Sequence, residues 1–119
     1  MAADAVDRLT HVKEAIQDVR HLLKDKTRND LEADSVMRAA FVRFVEIISE
    51  ASRHIPSDWK DQFGQEIPWR DIANVGNVLR HVYDRVEVDI LWPVYTDDLD
   101  PLEAVIDAML AAHGNDAPI

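Results

Sequence analysis

Apolar residues recur at spacings of three and four through nearly every long segment of this chain, a period that favours helices over strands. Val6, Leu9, Val12, Ile16, Val19 and Leu23 form one such stripe, the buried face of an amphipathic helix. Few runs alternate apolar with polar residues, so no sheet is expected. The spacing predicts a first helix over 5–25, with Asp4 as its N-cap. Lys24 to Asp30 is a charged connection without a core residue. A second helix follows from about Leu31 to His54, with Asp30 or Asp34 near its start. Its wide apolar face includes Phe41, Phe44, Val45 and Ile48. Ile55-Pro56 ends it, and Ser57 or Asp58 caps a short helix that runs to Phe63 and stops at Gly64.

The stretch from Ile67 to Asp84 carries the chemistry. Pro68 suits a first helical position, where its missing N–H would be unpaired anyway, and a helix of about four turns should follow. At about 100° per residue, Ile72, Val75, Val78, Leu79 and Val82 share one arc and need a core. Gly76, Asn77, Arg80, His81, Tyr83 and Asp84 share the other. That arc gathers an amide, a guanidinium, an imidazole and a phenol, groups suited to holding phosphate and moving a proton. Gly76 inside a helix costs about 1 kcal/mol against alanine, which a close neighbouring helix, across a dimer axis for instance, would explain.

Arg85-Val86-Glu87 then reads as a corner and Val88 to about Leu99 as a further helix, with Pro93 near its first turn. Asp100-Pro101 reads as the N-cap and first position of a last helix ending at Ala112. The expected architecture is all-α, an antiparallel bundle of four to five helices. One domain over 1–113 would be followed by a flexible tail over 114–119. A length of 119 residues suits a single domain.

Charge and composition narrow the function. A formal net charge of −10 argues against a broad electrostatic grip on nucleic acid, which depends on lysine and arginine. A small basic focus, or a basic protein partner, remains compatible. There is no cysteine, hence no disulfide or thiolate metal site. Neither a signal-peptide pattern nor a membrane-spanning run is present, so a soluble, cytoplasmic protein without membrane attachment is expected. Glu46 and Glu50 lie one turn apart without matching metal ligands, and Asp97, Asp98 and Asp100 lack the EF-hand spacing and read as helix capping. His11 and His21 read as ordinary surface histidines. No metal and no cofactor is expected.

Four segments, taken together and in order, resemble a known family. They are Glu46-Ile47-Ile48-Ser49-Glu50-Ala51, Glu66-Ile67-Pro68-Trp69-Arg70-Asp71-Ile72-Ala73, Asn77-Val78-Leu79-Arg80-His81-Val82-Tyr83 and Trp92. They resemble the HepT-like branch of the HEPN superfamily. The resemblance implies a helical bundle that forms a homodimer, so that two copies of an R-x(4–6)-H motif face each other across a cleft. It implies a metal-independent RNA endonuclease, tRNA being one candidate substrate, acting as the toxin of a HepT/MntA-type toxin–antitoxin pair. The implied partner is a minimal nucleotidyltransferase, which in some systems adds AMP to the tyrosine two residues after the histidine. Carried over, the histidine is His81, the AMPylation acceptor Tyr83 and the polar residue four before the histidine Asn77. The chain departs from the pattern twice. The motif arginine falls on Gly76, and Ser49 stands where a glycine is usual. Arg80 lies one helical turn beyond Gly76 on the same face and is the candidate replacement.

On this reading His81 takes the proton of a ribose 2′-OH, Arg80 stabilises charge growing on the phosphate, and Asn77 orients the phosphate or an imidazole. Two other classes stay open. One is a catalytically weak or inactive module that binds, and is AMPylated by, a minimal nucleotidyltransferase. The other is a bundle that holds a small ligand between its helices.

Overall fold

The computed structural model describes residues 2–114, without the side chains of Ala2, Ala3 and Asp84. The chain is all-α. Among the described residues the helices are α1 (Ala2–Leu23), α2 (Arg28–Ala33), α3 (Ser35–Ser52), α4 (Ser57–Phe63), α5 (Trp69–Leu79), α6 (Asp84–Pro93) and α7 (Leu99–His113), with one π turn, Val94–Asp98, between the last two. The long helices α1, α3 and α7 make the bundle; of the shorter ones, α2 packs on α3 and α6, and α4 on α7. The tail expected over 114–119 lies, from residue 115 onward, outside the described residues.

The stripe on α1 is the centre of the core. Leu9, Ile16, Val19 and Leu23 have no solvent exposure. They sit between α3 on one side and α7 on the other, joined by Phe41, Leu91, Ile106 and Met109. α5 lies on the far side of α3, so α3 is shared between the core and the candidate site. Outside the core, Lys13 pairs with Glu103 and Asp107, and Arg20 with Asp100 and Glu103, lacing α1 to α7.

Several boundaries differ from the sequence expectation, each for a local reason. Asp4 lies inside the first turn of α1, where its charge favours the helix N-terminus, rather than capping it. α1 ends two residues early, with Asp25 in the left-handed conformation (φ 62°). The 24–30 connection already contains the start of α2. Thr27 Oγ1 accepts from the Asp30 N–H at 3.1 Å while an Asp30 carboxylate oxygen accepts from the Thr27 N–H at 2.8 Å, a reciprocal cap. The second expected helix is broken at Asp34, which caps α3 by accepting from the Val36 and Met37 N–H groups. Buried Arg38 secures that break, donating to the carbonyls of Leu31 and Glu32 at the end of α2. α4 begins after Pro56, with no side-chain cap from Ser57 or Asp58.

The C-terminal half differs most. Arg85, Val86 and Glu87 belong to α6 rather than to a corner. α6 passes through the π turn directly into α7, so Asp100-Pro101 starts nothing; Asp100 instead meets Arg20 at 2.8 Å. Pro101 has no N–H to offer the carbonyl four residues back, and the helix widens over that turn instead of stopping.

Candidate functional site

α5 is held at both ends. Pro68 is its N-cap, one place before the position expected for it. Trp69 Nε1 donates to the Gly64 carbonyl at 2.9 Å, and Lys60 Nζ stands 5.2 Å from the centre of the Trp69 ring. Burial holds the Lys60 ammonium below its ordinary pKa. At the other end Leu79, nearly buried, is the last helical residue.

Between these ends α5 lies against one face of α3. Glu46, Ser49, Glu50 and Arg53 are spaced at i, i+3, i+4 and i+7, which places them together. Ser49 Oγ donates to the Ala73 carbonyl at 2.9 Å, and Arg53 Nε donates to the same oxygen at 3.0 Å. A Cβ on Gly76 would stand 3.3 Å from both Cβ and Oγ of Ser49 and 3.6 Å from Glu46 Cα. The glycine is therefore the point where the two helices approach, as its cost inside a helix suggested; the neighbour is α3 of the same chain.

Over this contact opens a polar depression of about 360 Å³ lined by Glu46, Glu50, Arg53, Gly76, Asn77 and Arg80. Arg80 reaches back along α5, its Nε and Nη2 each 3.4 Å from Glu46 Oε2. Those distances are long for a charge-assisted hydrogen bond, and the Arg80 side chain is 65 % exposed. Glu50 pairs with His54 Nε2 at 3.3 Å. Among the described residues no three His, Cys, Asp or Glu side chains are grouped to hold a metal ion.

The structure thus brings Asn77 and Arg80 together beside Gly76 and leaves two expected members off the helix. The four-turn helix stops after Leu79. The His81 N–H bonds to the Val78 carbonyl at 3.1 Å, a tightened last turn, and Tyr83 is extended (φ −94°, ψ 170°) as the N-cap of α6. His81 is exposed and Tyr83 is 89 % exposed. The single polar arc does not form because the helix gives way here to a turn and an extended stretch before α6, which buries Val88 and Leu91 at 1 % and 0 % exposure. Arg53 is the site residue that the sequence reading missed, although its spacing from Glu46 and Ser49 carried the signal.

The apolar arc of α5 is only partly covered. Ile72 and Val75 are half-buried and Val78 is 38 % exposed. Ile72 and Val75 line an apolar groove of about 360 Å³ with Ile48, Ile90 and Leu99, rimmed by Glu66, Asp71 and Asp98. Among the described residues no helix is long and apolar enough to cross a membrane.

Comparison with known proteins agrees with this architecture. The family model described as "Ribonuclease HepT-like" matches residues 12–109, a span that takes in the α3 face, α5, His81 and Tyr83. A protein of Thermococcus cleftensis named "Probable ribonuclease HepT" is 35 % identical over 97 residues, covering 82 % of this chain and 87 % of that protein. One of Methanocaldococcus jannaschii named "Putative RNase" is 29 % identical over 99 residues, 83 % of this chain and 90 % of that one. A third, from Caldanaerobacter subterraneus subsp. tengcongensis and named likewise, is 28 % identical over 102 residues, 86 % and 90 % of the two chains. No solved structure matches. With the family model matching residues 12–109 and four-fifths of the chain aligned to the Thermococcus cleftensis protein, the chain belongs to the ribonuclease HepT-like family.

Proposed function

We propose that this chain is a metal-independent RNA endonuclease, the toxin of a HepT/MntA-type pair, acting in the cytoplasm as a homodimer, with residues 1–113 as its one domain. The observation that carries the reading is the polar depression in which Arg80 reaches back beside Gly76, the position of the family's arginine. His81 removes the ribose 2′-OH proton, and the freed oxygen attacks the adjacent phosphorus. The bond from phosphorus to the 5′ oxygen breaks, leaving a 2′,3′-cyclic phosphate and a 5′-hydroxyl. His81 of the second copy gives the leaving oxygen its proton. Arg80 offsets the negative charge gathering on the phosphate, and Asn77 orients it. The half-covered α5 face beside the depression supports a seat for the second copy.

The test is expression without a partner together with cleavage of total RNA in the presence of a chelator. Growth arrest and cleavage are expected, and His81→Ala should remove both, a loss of about 10²-fold or more. Undiminished cleavage by His81→Ala overturns the reading.

A second reading is favoured by Tyr83, whose 89 % exposure leaves the phenol open to another protein. In it the chain is a weak or inactive module bound by a minimal nucleotidyltransferase, whose basic surface meets the net charge of −10. The phenol oxygen attacks the α-phosphorus of ATP and pyrophosphate leaves. Co-expression should then add AMP increments to the intact mass, lost in Tyr83→Phe.

A further inference from the structure

We infer that Arg53 and Arg80 form a two-guanidinium phosphate subsite over Gly76, with Arg53 as its fixed member. The inference rests on the ribonuclease reading for its substrate but on separate geometry for its residues. Arg53 comes from the end of α3 and Arg80 from the end of α5, and both line the same depression. Two helices thus deliver one cation each to a hollow in which Gly76, without a side chain, leaves room between them.

The two arginines differ in how they are held. Arg53 Nε donates to the Ala73 carbonyl at 3.0 Å, as does one of its terminal nitrogens. A neutral carbonyl fixes the guanidinium without neutralising it, and the N–H groups not spent there remain for a ligand. The Ala73 carbonyl lies one turn before Asn77, so the anchor sets Arg53 beside the amide that lines the same hollow. Among the described residues Arg80 is held by Glu46 alone, at 3.4 Å, a contact that can be exchanged for a phosphate oxygen. The remaining charges facing the hollow are Glu46 and Glu50. Glu50 is directed to His54, and Glu46 is the group that Arg80 would leave.

The ligand chemistry is a singly or doubly charged phosphate with room for two guanidiniums. It can be a phosphodiester of a nucleic-acid strand or a free phosphate. Two probes separate these sources, a 2′-deoxy oligonucleotide, which lacks the attacking hydroxyl, and inorganic phosphate. Both are titrated into the full chain, followed by backbone amide shifts, at several salt concentrations. Arg53→Gln is expected to weaken oligonucleotide binding about tenfold and to lower the slope of log affinity against log salt by about 0.7. Arg80→Gln should do the same, while Arg53→Lys keeps the slope. A purely structural role for Arg53 would lower affinity without moving the slope, and that result overturns the subsite. So does unchanged binding by Arg53→Gln, or binding of neither probe. Arg53-dependent binding of inorganic phosphate alone supports the pair as a free-phosphate subsite. Wild-type RNA cleavage is scored separately. Arg53-dependent binding without cleavage keeps the subsite and ends the ribonuclease reading, and cleavage with Arg53-independent binding does the reverse.

Discussion

Gly76 and Ser49 fit each other so closely that a single carbon added to the first would stand 3.3 Å from both side-chain atoms of the second. The family resemblance implies an arginine on α5 and a glycine on α3 at these two places, where this chain has Gly76 and Ser49. Gly76→Ala alone gains up to about 1 kcal/mol of helix propensity and must push Ser49 aside. In a Ser49→Gly background the push is gone. The two substitutions should therefore couple favourably by about 0.5 kcal/mol or more in a double-mutant cycle read by urea unfolding. Additive effects would show that the contact is slack. Gly76→Arg should likewise fold better, and cleave RNA faster, with Ser49→Gly than without it.

Glu46 restrains Arg80. Removing its charge with Glu46→Gln should free the guanidinium and strengthen RNA binding up to about fivefold at low salt, the worth of an exposed ion pair. The gain should appear in KM with kcat nearly constant. A weaker KM would mean that Glu46 positions Arg80 for the substrate instead of competing with it.

Gly64 closes α4 where the backbone passes under Trp69. A Cβ there would lie 2.9 Å from Trp69 Cζ2 and 2.9 Å from Val105 Cγ1. Neither neighbour is a free chain end, since Trp69 is tied through Nε1 to the Gly64 carbonyl. Gly64→Ala should cost about 1–3 kcal/mol, seen as a fall of several degrees in Tm. An unchanged Tm would place slack in that corner.

Asp98, on the rim of the apolar groove, has its carboxyl held above the ordinary 3.8, first by burial and then by neighbouring Asp97. The folded chain binds this proton more tightly than the unfolded one. The stability it contributes is whole below the unfolded pKa and is lost as pH rises through the folded value. Asp98→Asn carries no such dependence. Its Tm relative to the native chain should climb across that window and stay higher at neutral pH. A difference that is flat from pH 3 to pH 7 would refute the burial effect.

What could be read from the sequence follows a physical division. The stripe from Val6 to Leu23 was legible because burial imposes the period directly, and all six of its members are buried. That Asn77 and Arg80 share one face with Gly76 was legible from helical spacing, and all three line one depression. The end of α5 was not, because no glycine or proline stands between Leu79 and Tyr83. The break is set from a distance by the burial of Val88 and Leu91. Asp100-Pro101 has the local pattern of a helix start, yet the widened turn before it let the helix absorb the proline. Arg53 lies in the last polar residues of a helix, where a charge normally points to water, and only the docking of α5 gives it a carbonyl to hold.

The break after Leu79 has a consequence for how the molecule comes apart. α6 and α7 meet through continuous helical backbone, whereas Arg80 to Tyr83 is non-helical and exposed apart from half-buried Val82. Limited trypsin digestion should cut after Arg80 well before it cuts after Arg43 inside α3. Such a nick would strand Asn77 and Arg80 on one fragment and His81 and Tyr83 on the other. The groups assigned to the chemistry sit on opposite banks of that one cut.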